Sequence, residues 1–167
     1  MDNFTGGAEQ ADDITMLALE IISFGQADSL IKPDMKEMTV EANTDRLDEI
    51  IDFLNAELDS HNCPAELQNQ IDVAADEIFT NIANYAYKPE SGKTAVGIAI
   101  GNEVLLRFED SGKPYNPLES TAPDLDKPLM EREIGGLGVF ILKKFMDTIN
   151  YSRVDNKNVL VMTKRIN

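Results

Sequence analysis

Across residues 65–87 the chain carries an apolar stripe and a polar stripe on one helical repeat, and no other stretch limits the fold as tightly. Ile71, Ala75, Ile78, Ile82 and Tyr85 recur at steps of three and four, the spacing of a buried helix face. Glu77, Asn81 and Asn84 recur at the same steps, so their side chains stack on another face of the same rod. A carboxylate and an amide one turn apart can hold a hydrated divalent cation with a water or hydroxyl beside it. The same pairing is common on solvated helix faces, so the spacing alone does not choose between a site and a wet surface. Two other stretches bear on that choice: Asp110-Ser111-Gly112 follows a strand pattern, and Gly135-Gly136-Leu137-Gly138 opens another helix.

A length of 167 residues allows one domain with a real core plus an appendage. Hydrophobic residues make up 43%, the share of a soluble globular protein, and no apolar run approaches the roughly 20 residues of a membrane helix. The opening Met1-Asp2-Asn3-Phe4-Thr5-Gly6-Gly7 lacks the basic start and apolar block of a secretory signal. A single Cys63 forms no internal disulfide. These features predict a cytoplasmic protein with no membrane partner. Thirty acidic against fifteen basic residues leave a formal charge of -15, which repels phosphate backbones and argues against direct nucleic-acid binding. A nucleotide is not excluded, because backbone N–H groups and a metal ion can neutralise its phosphates without a basic surface.

Residues 14–22, ITMLALEII, read as a short buried strand preceded by Asp12 and Asp13. Gly25, Pro33 and scattered charges mark 25–36 as a linker, which separates a tail, 1–24, from a main domain, 37–167. Within that domain residues 37–42 alternate as an edge strand. Thr44, Asp45 and Asp48 open a helix whose stripe is Leu47, Ile50, Ile51, Leu54 and Leu58. His61, Asn62 and Cys63 make a turn, and Pro64 starts the central helix. Two ligand types without a second pair give His61 and Cys63 no metal role. Residues 94–100 and 103–108 form a hairpin around Gly101-Asn102, which puts Asp110 at a strand's C-terminal end. Over 113–134, four prolines and many charges predict a long loop of the kind that closes over a ligand. A helix over 138–146 follows, with Val139, Ile141, Leu142 and Phe145 as its stripe, and a terminal hairpin joins 149–154 to 158–166.

A Gly-rich turn feeding a helix N-terminus offers backbone N–H groups and a positive dipole to a phosphate. Gly135-Gly136-Leu137-Gly138 fits neither the dinucleotide fingerprint nor the Walker pattern. Taken in order, however, EIFTNIANYAY, EDSGKPYNP and GGLGVFILKKFMD resemble the GHKL ATPase superfamily of gyrase, histidine kinases and MutL. Within it they look most like the small anti-sigma-factor serine kinases of bacteria. The resemblance spans 37–167. It implies an α/β fold, a two-layer Bergerat-type sandwich with a mixed, mostly antiparallel sheet and the helices on one face, binding Mg·ATP between helices and lid.

By that resemblance Glu77 is the acid that activates the attacking hydroxyl and Asn81 the Mg²⁺ ligand, with Asn84 beside it in the nucleotide site. Asp110 accepts a hydrogen bond from the adenine amino group, and Gly112 lets the base approach. A carboxylate has acceptors only, so guanine, with a carbonyl at that place, is rejected. Gly135, Gly136, Leu137 and Gly138 cradle the phosphates, and a lid over 123–134 lets Lys127 or Arg132 reach one of them. The implied chemistry is transfer of the γ-phosphoryl group of ATP to a serine of a STAS-type anti-sigma-factor antagonist, with a sigma factor as a second partner. One departure from the family is Tyr85, where these kinases often carry His. Two rivals stay open: an ATP-binding module that sequesters a sigma factor or another regulator with little or no phosphotransfer, and the ATPase part of a histidine kinase. Against the second, the lone His61 falls in a turn rather than on a dimerising helix.

Residues 6–20, GGAEQADDITMLALE, resemble instead the very end of a bacterial serine phosphatase of the protein phosphatase 2C type, with Asp12 the metal ligand by that match. One acidic pair cannot make a two-metal site. The expectation from that match is the C-terminal piece of a larger switch with phosphatase and kinase activities in one polypeptide, its metal site incomplete and the phosphatase inactive here, and its strand adding to the sheet or packing on a second copy in a homodimer.

Overall fold

The computed structural model describes residues 34–119 and 137–166. Asp12 and the phosphatase-like tail, the lid with Lys127 and Arg132, and Gly135 and Gly136 lie outside the described residues. Strands β1 (Lys36–Glu41), β2 (Lys93–Ile100), β3 (Glu103–Asp110), β4 (Thr148–Val154) and β5 (Lys157–Arg165) form a sheet in the order β1-β2-β3-β5-β4. Helices α1 (Leu47–Ser60), α2 (Ala65–Asn81) and α3 (Leu137–Phe145) complete the α/β sandwich. Every described strand pairing is antiparallel, and β1 lies at the edge, as its weak alternation predicts.

Strand alternation decides which residues meet the helices, because successive side chains point to opposite faces. Val104, Leu106 and Phe108 of β3 and Leu160 and Met162 of β5 share one core with Ile50 and Leu54 of α1 and Ile71 and Ile78 of α2. Each such buried side chain contributes about 1.5–3 kcal/mol. Asp110 and Asn158 keep the parity of those inward residues. They therefore project on the helix side, where β3 ends and β5 begins.

The connections follow local chemistry. Asn43, rather than Thr44, caps the first turn, its Oδ1 accepting from Asp45 N at 3.1 Å. Pro64 stands at the N-cap of α2, and Cys63 before it is buried in the core while His61 is exposed. The stripe of α2 is broader than its sequence repeat suggests, taking in Leu67, Ala74 and Phe79, since the helix packs against α1 and α3 as well as the sheet. Beyond Asn81 the helix continues as a π turn, Ile82–Ala86. The extra residue per turn breaks the steps of three and four, so Tyr85, read as the end of the buried stripe, is instead 69% exposed. Single π turns of this sort are frequent at functional sites.

Candidate functional site

Register brings three side chains into one row across neighbouring strands: Asp110 of β3 lies opposite Asn158 of β5, and Asn158 opposite Arg153 of β4. Residues directly opposite share a face and are close enough to interact. Asn158 Nδ2 donates to Asp110 Oδ1 at 2.9 Å and to the Lys113 carbonyl at 2.9 Å. Gly112 N donates to the same Asp110 oxygen at 2.8 Å. Oδ1 is thus occupied by two donors, and Oδ2 is the oxygen left for a ligand. On the other side of the amide, Asn158 Oδ1 accepts from Arg153 Nη1 at 2.7 Å and from Tyr151 OH at 2.8 Å. Burial pushes the Asp110 carboxyl above the usual carboxylate range, while Asn158, Gly112 and Arg153 draw it back down.

Asp110, Asn158 and Tyr151 line a cavity of about 250 Å³. Ile78, Phe108 and Leu160 give it apolar walls, and Asn81, Asp110 and Asn158 supply polar points. A mostly apolar cavity with a fixed acceptor in its lining suits a flat aromatic base that carries an amino group.

Glu77 and Asn81 lie one turn apart on α2, and Asn81 Nδ2 donates to Glu77 Oε1 at 2.7 Å. An ionised carboxylate only accepts, so the amide nitrogen faces Glu77 and Asn81 Oδ1 is turned away as a hard oxygen donor. Among the described residues no group of three or more His, Cys, Asp or Glu is placed to hold a metal ion. A Mg²⁺ bound here would share Asn81 with phosphate oxygens, the usual arrangement for that ion. Gly138 is the second residue of α3, which Leu137 begins. A methyl group on Gly138 would fall on the Glu77 carboxylate, so this glycine lets the acid lie against the first turn of α3, where negative charge is favoured.

Two predicted site residues have neighbours within the chain itself. Asn84 does not line the cavity, and its Oδ1 accepts from Lys88 Nζ at 3.4 Å. Gly112 is small for the sake of Ala86, whose Cβ and carbonyl oxygen would lie 2.6 Å from any added Cβ. That contact, with the bond from Lys113 N to Ala86 O at 2.9 Å, ties the loop after β3 to the end of the π turn. Asn158, Tyr151 and Arg153 escape the sequence reading. One signal could have found Asn158: it is a polar residue at an inward position of a strand whose next inward residues are Leu160 and Met162.

A family model described as histidine kinase-like ATPase domain matches residues 40–164. Among curated relatives, the serine/threonine-protein kinase BtrW of Bordetella bronchiseptica is 30% identical over 102 residues, which cover 59% of this chain and 71% of that one. An anti-sigma F factor of a Thermoanaerobacter species is 30% identical over 98 residues, 58% of this chain and 68% of its own. The serine-protein kinase RsbW of Bacillus cereus is 31% identical over 99 residues, 56% and 61% of the two chains. A crystal structure of the RsbU and RsbW domains of a Mycobacterium tuberculosis protein shares the fold, with a TM-score of 0.55 at 12% identity over 80% of this chain. This chain spans 32% of that larger one. Among the described residues no helix is long and apolar enough to cross a membrane.

Proposed function

This chain belongs to the histidine kinase-like ATPase domain family, and from that premise we propose that it is an ATP-dependent protein serine kinase of the anti-sigma-factor type, acting on a STAS-type anti-sigma-factor antagonist. The observation that carries the reading is the pairing of two features that meet at Asn81 of α2: an apolar cavity lined by Asp110 of β3, and an acid, Glu77, resting on the first turn of α3 beside Asn81. In this reading the adenine amino group donates to Asp110 Oδ2. Asn81 Oδ1 would hold Mg²⁺, whose charge offsets that of the phosphates when it is bound. Glu77 takes the proton of the serine hydroxyl as the serine oxygen bonds to the γ-phosphorus and the bond to the ADP oxygen breaks. Little covalent work falls to the protein in such a transfer, so the placement of these groups is the main contribution.

The test is label transfer from γ-labelled ATP to a STAS-domain protein. Glu77→Gln should lower the rate by about 10²- to 10⁴-fold with ADP affinity unchanged, and an equal loss of both would refute the role given to Glu77. A second reading, an ATP-binding module that sequesters a sigma factor with little or no transfer, draws support from the relative named as an anti-sigma factor. Tight sigma-factor binding without label transfer by the wild type would select it. We also read residues 1–24, with Asp12, as the end of a phosphatase-type domain ahead of the kinase, in a cytoplasmic protein whose partners include a sigma factor and a second copy of itself.

A further inference from the structure

Asn158 is 6% exposed, and its amide has hydrogen-bond partners on both sides. A guanidinium has donors only, so the Asn158 atom 2.7 Å from Arg153 Nη1 must be the amide oxygen. The amide nitrogen is then obliged to face Asp110. The Lys113 carbonyl and Tyr115 N hold the amide the same way round, and Arg153 is the charged member of the set, so with Arg153 gone the amide keeps neutral partners alone and is a weaker donor to Asp110. Arg153 also donates to the Gly112 carbonyl at 3.2 Å, so it braces the loop that supplies the second donor to Asp110.

We propose that Arg153 and Asn158 form a hydrogen-bond relay that holds Asp110 as an acceptor, and that this relay sets the preference of the cavity for a base bearing an amino group. The proposal rests on reading the cavity as an adenine-nucleotide site. Arg153 acts through Asn158, so it is a positioning residue. The other charged or titratable groups near Asp110 do not donate to it. Glu109, its neighbour on β3, is held by Lys157 and Arg107. Tyr87 donates to the Lys93 carbonyl and accepts from Ser111 N. Lys113, from the cavity wall, donates its Nζ to the Lys88 carbonyl. Loss of Asn158 therefore leaves Gly112 N as the remaining donor to the carboxylate, loss of Arg153 weakens the Asn158 donor and removes a nearby positive charge, and either raises the affinity of Asp110 for a proton. A protonated Asp110 offers an O–H that matches the guanine carbonyl, whereas the ionised form matches the adenine amino group.

The experiment is calorimetric titration of the full chain with ADP and with GDP from acid to neutral pH, for wild type, Arg153→Met, Asn158→Leu and Asp110→Asn. Comparison with wild type at each pH cancels the titration of the phosphates. Arg153→Met and Asn158→Leu should move the midpoint of acid loss of ADP affinity upward by about one pH unit. Discrimination against GDP should shrink about tenfold below that midpoint, and Arg153→Lys, which restores a donor-only cation, should recover most of both. An unmoved midpoint, or an equal loss at every pH, overturns the relay. If Asp110→Asn abolishes ADP binding while Arg153→Met leaves the midpoint in place, the site stands and the relay falls. If wild type binds no ADP, or Asp110→Asn binds it as well as wild type does, the site reading falls and takes the relay with it. Should Asn158→Leu fail to fold, Arg153→Met still decides, because Arg153 is only half-buried and lies on the edge strand β4.

Discussion

Gly138→Ala separates the chemistry of this site from its stability. The added methyl carbon would fall on the Glu77 carboxylate, whereas carbon atoms in contact stay about 3.5–4.0 Å apart. The carboxylate must therefore swing away by an ångström or more and give up its 2.7 Å bond from Asn81. Glu77 is half-buried at the end of a flexible side chain, so the backbone has little reason to follow. Alanine also suits a helix better than glycine by up to about 1 kcal/mol, less in a first turn. The expected outcome is a stability within about 1 kcal/mol of wild type and phosphotransfer to a STAS-domain protein lowered about 10²-fold at saturating ATP, the usual result of misplacing a catalytic group by that distance. Stability comes from denaturant midpoints and transfer from single-turnover labelling. Full transfer activity in Gly138→Ala would refute the idea that Glu77 works from its place against α3.

Three further outcomes follow from the same structure. Leu54 of α1 is fully buried in the core, so Leu54→Ala should lower unfolding stability by about 2–5 kcal/mol, read as a shifted denaturant midpoint at constant slope. Tyr87 donates to the Lys93 carbonyl at 2.6 Å and accepts from Ser111 N at 2.8 Å; Tyr87→Phe should cost about 1–3 kcal/mol and weaken ADP binding by loosening the segment next to Asp110. Burial raises the folded pKa of Asp110 above its unfolded value, so its contribution to stability is full below the unfolded value of about 3.9 and is lost as pH rises through the folded one. A base that donates to the ionised carboxylate offsets that loss. The thermal shift produced by ADP should then grow with pH across this window, and a flat shift in wild type, or the same slope in Asp110→Asn, would count against it.

Much of the fold was legible because it rests on local patterns. The stripe of α1, the hairpins at β2–β3 and β4–β5, and the helix after the glycine turn each follow from a repeat of two or of three and four, and Asp110 was found by following a strand to its end. What stayed hidden depends on register and on helix type. Tyr85 left the stripe because a π turn adds a residue to the repeat, a change that no apolar spacing announces. Asn158 and Arg153 reach Asp110 through cross-strand pairing, 48 positions away along the chain in the case of Asn158. Sequence order does not reveal that β5 inserts between β3 and β4. The smallness of Gly112, which the resemblance assigns to the approach of a base, is required by Ala86 of the same chain as well, a contact that sequence order does not show.

The central claim is that the cavity beside Asp110 takes an adenine nucleotide, and calorimetry with Mg²⁺ tests it most directly. ATP and ADP should bind the wild type, GTP should bind at least about 10²-fold more weakly because its carbonyl faces an acceptor, and Asp110→Asn should lose the preference for adenine. Equal affinity for ATP and GTP, or nucleotide binding untouched by Asp110→Asn, would contradict the account.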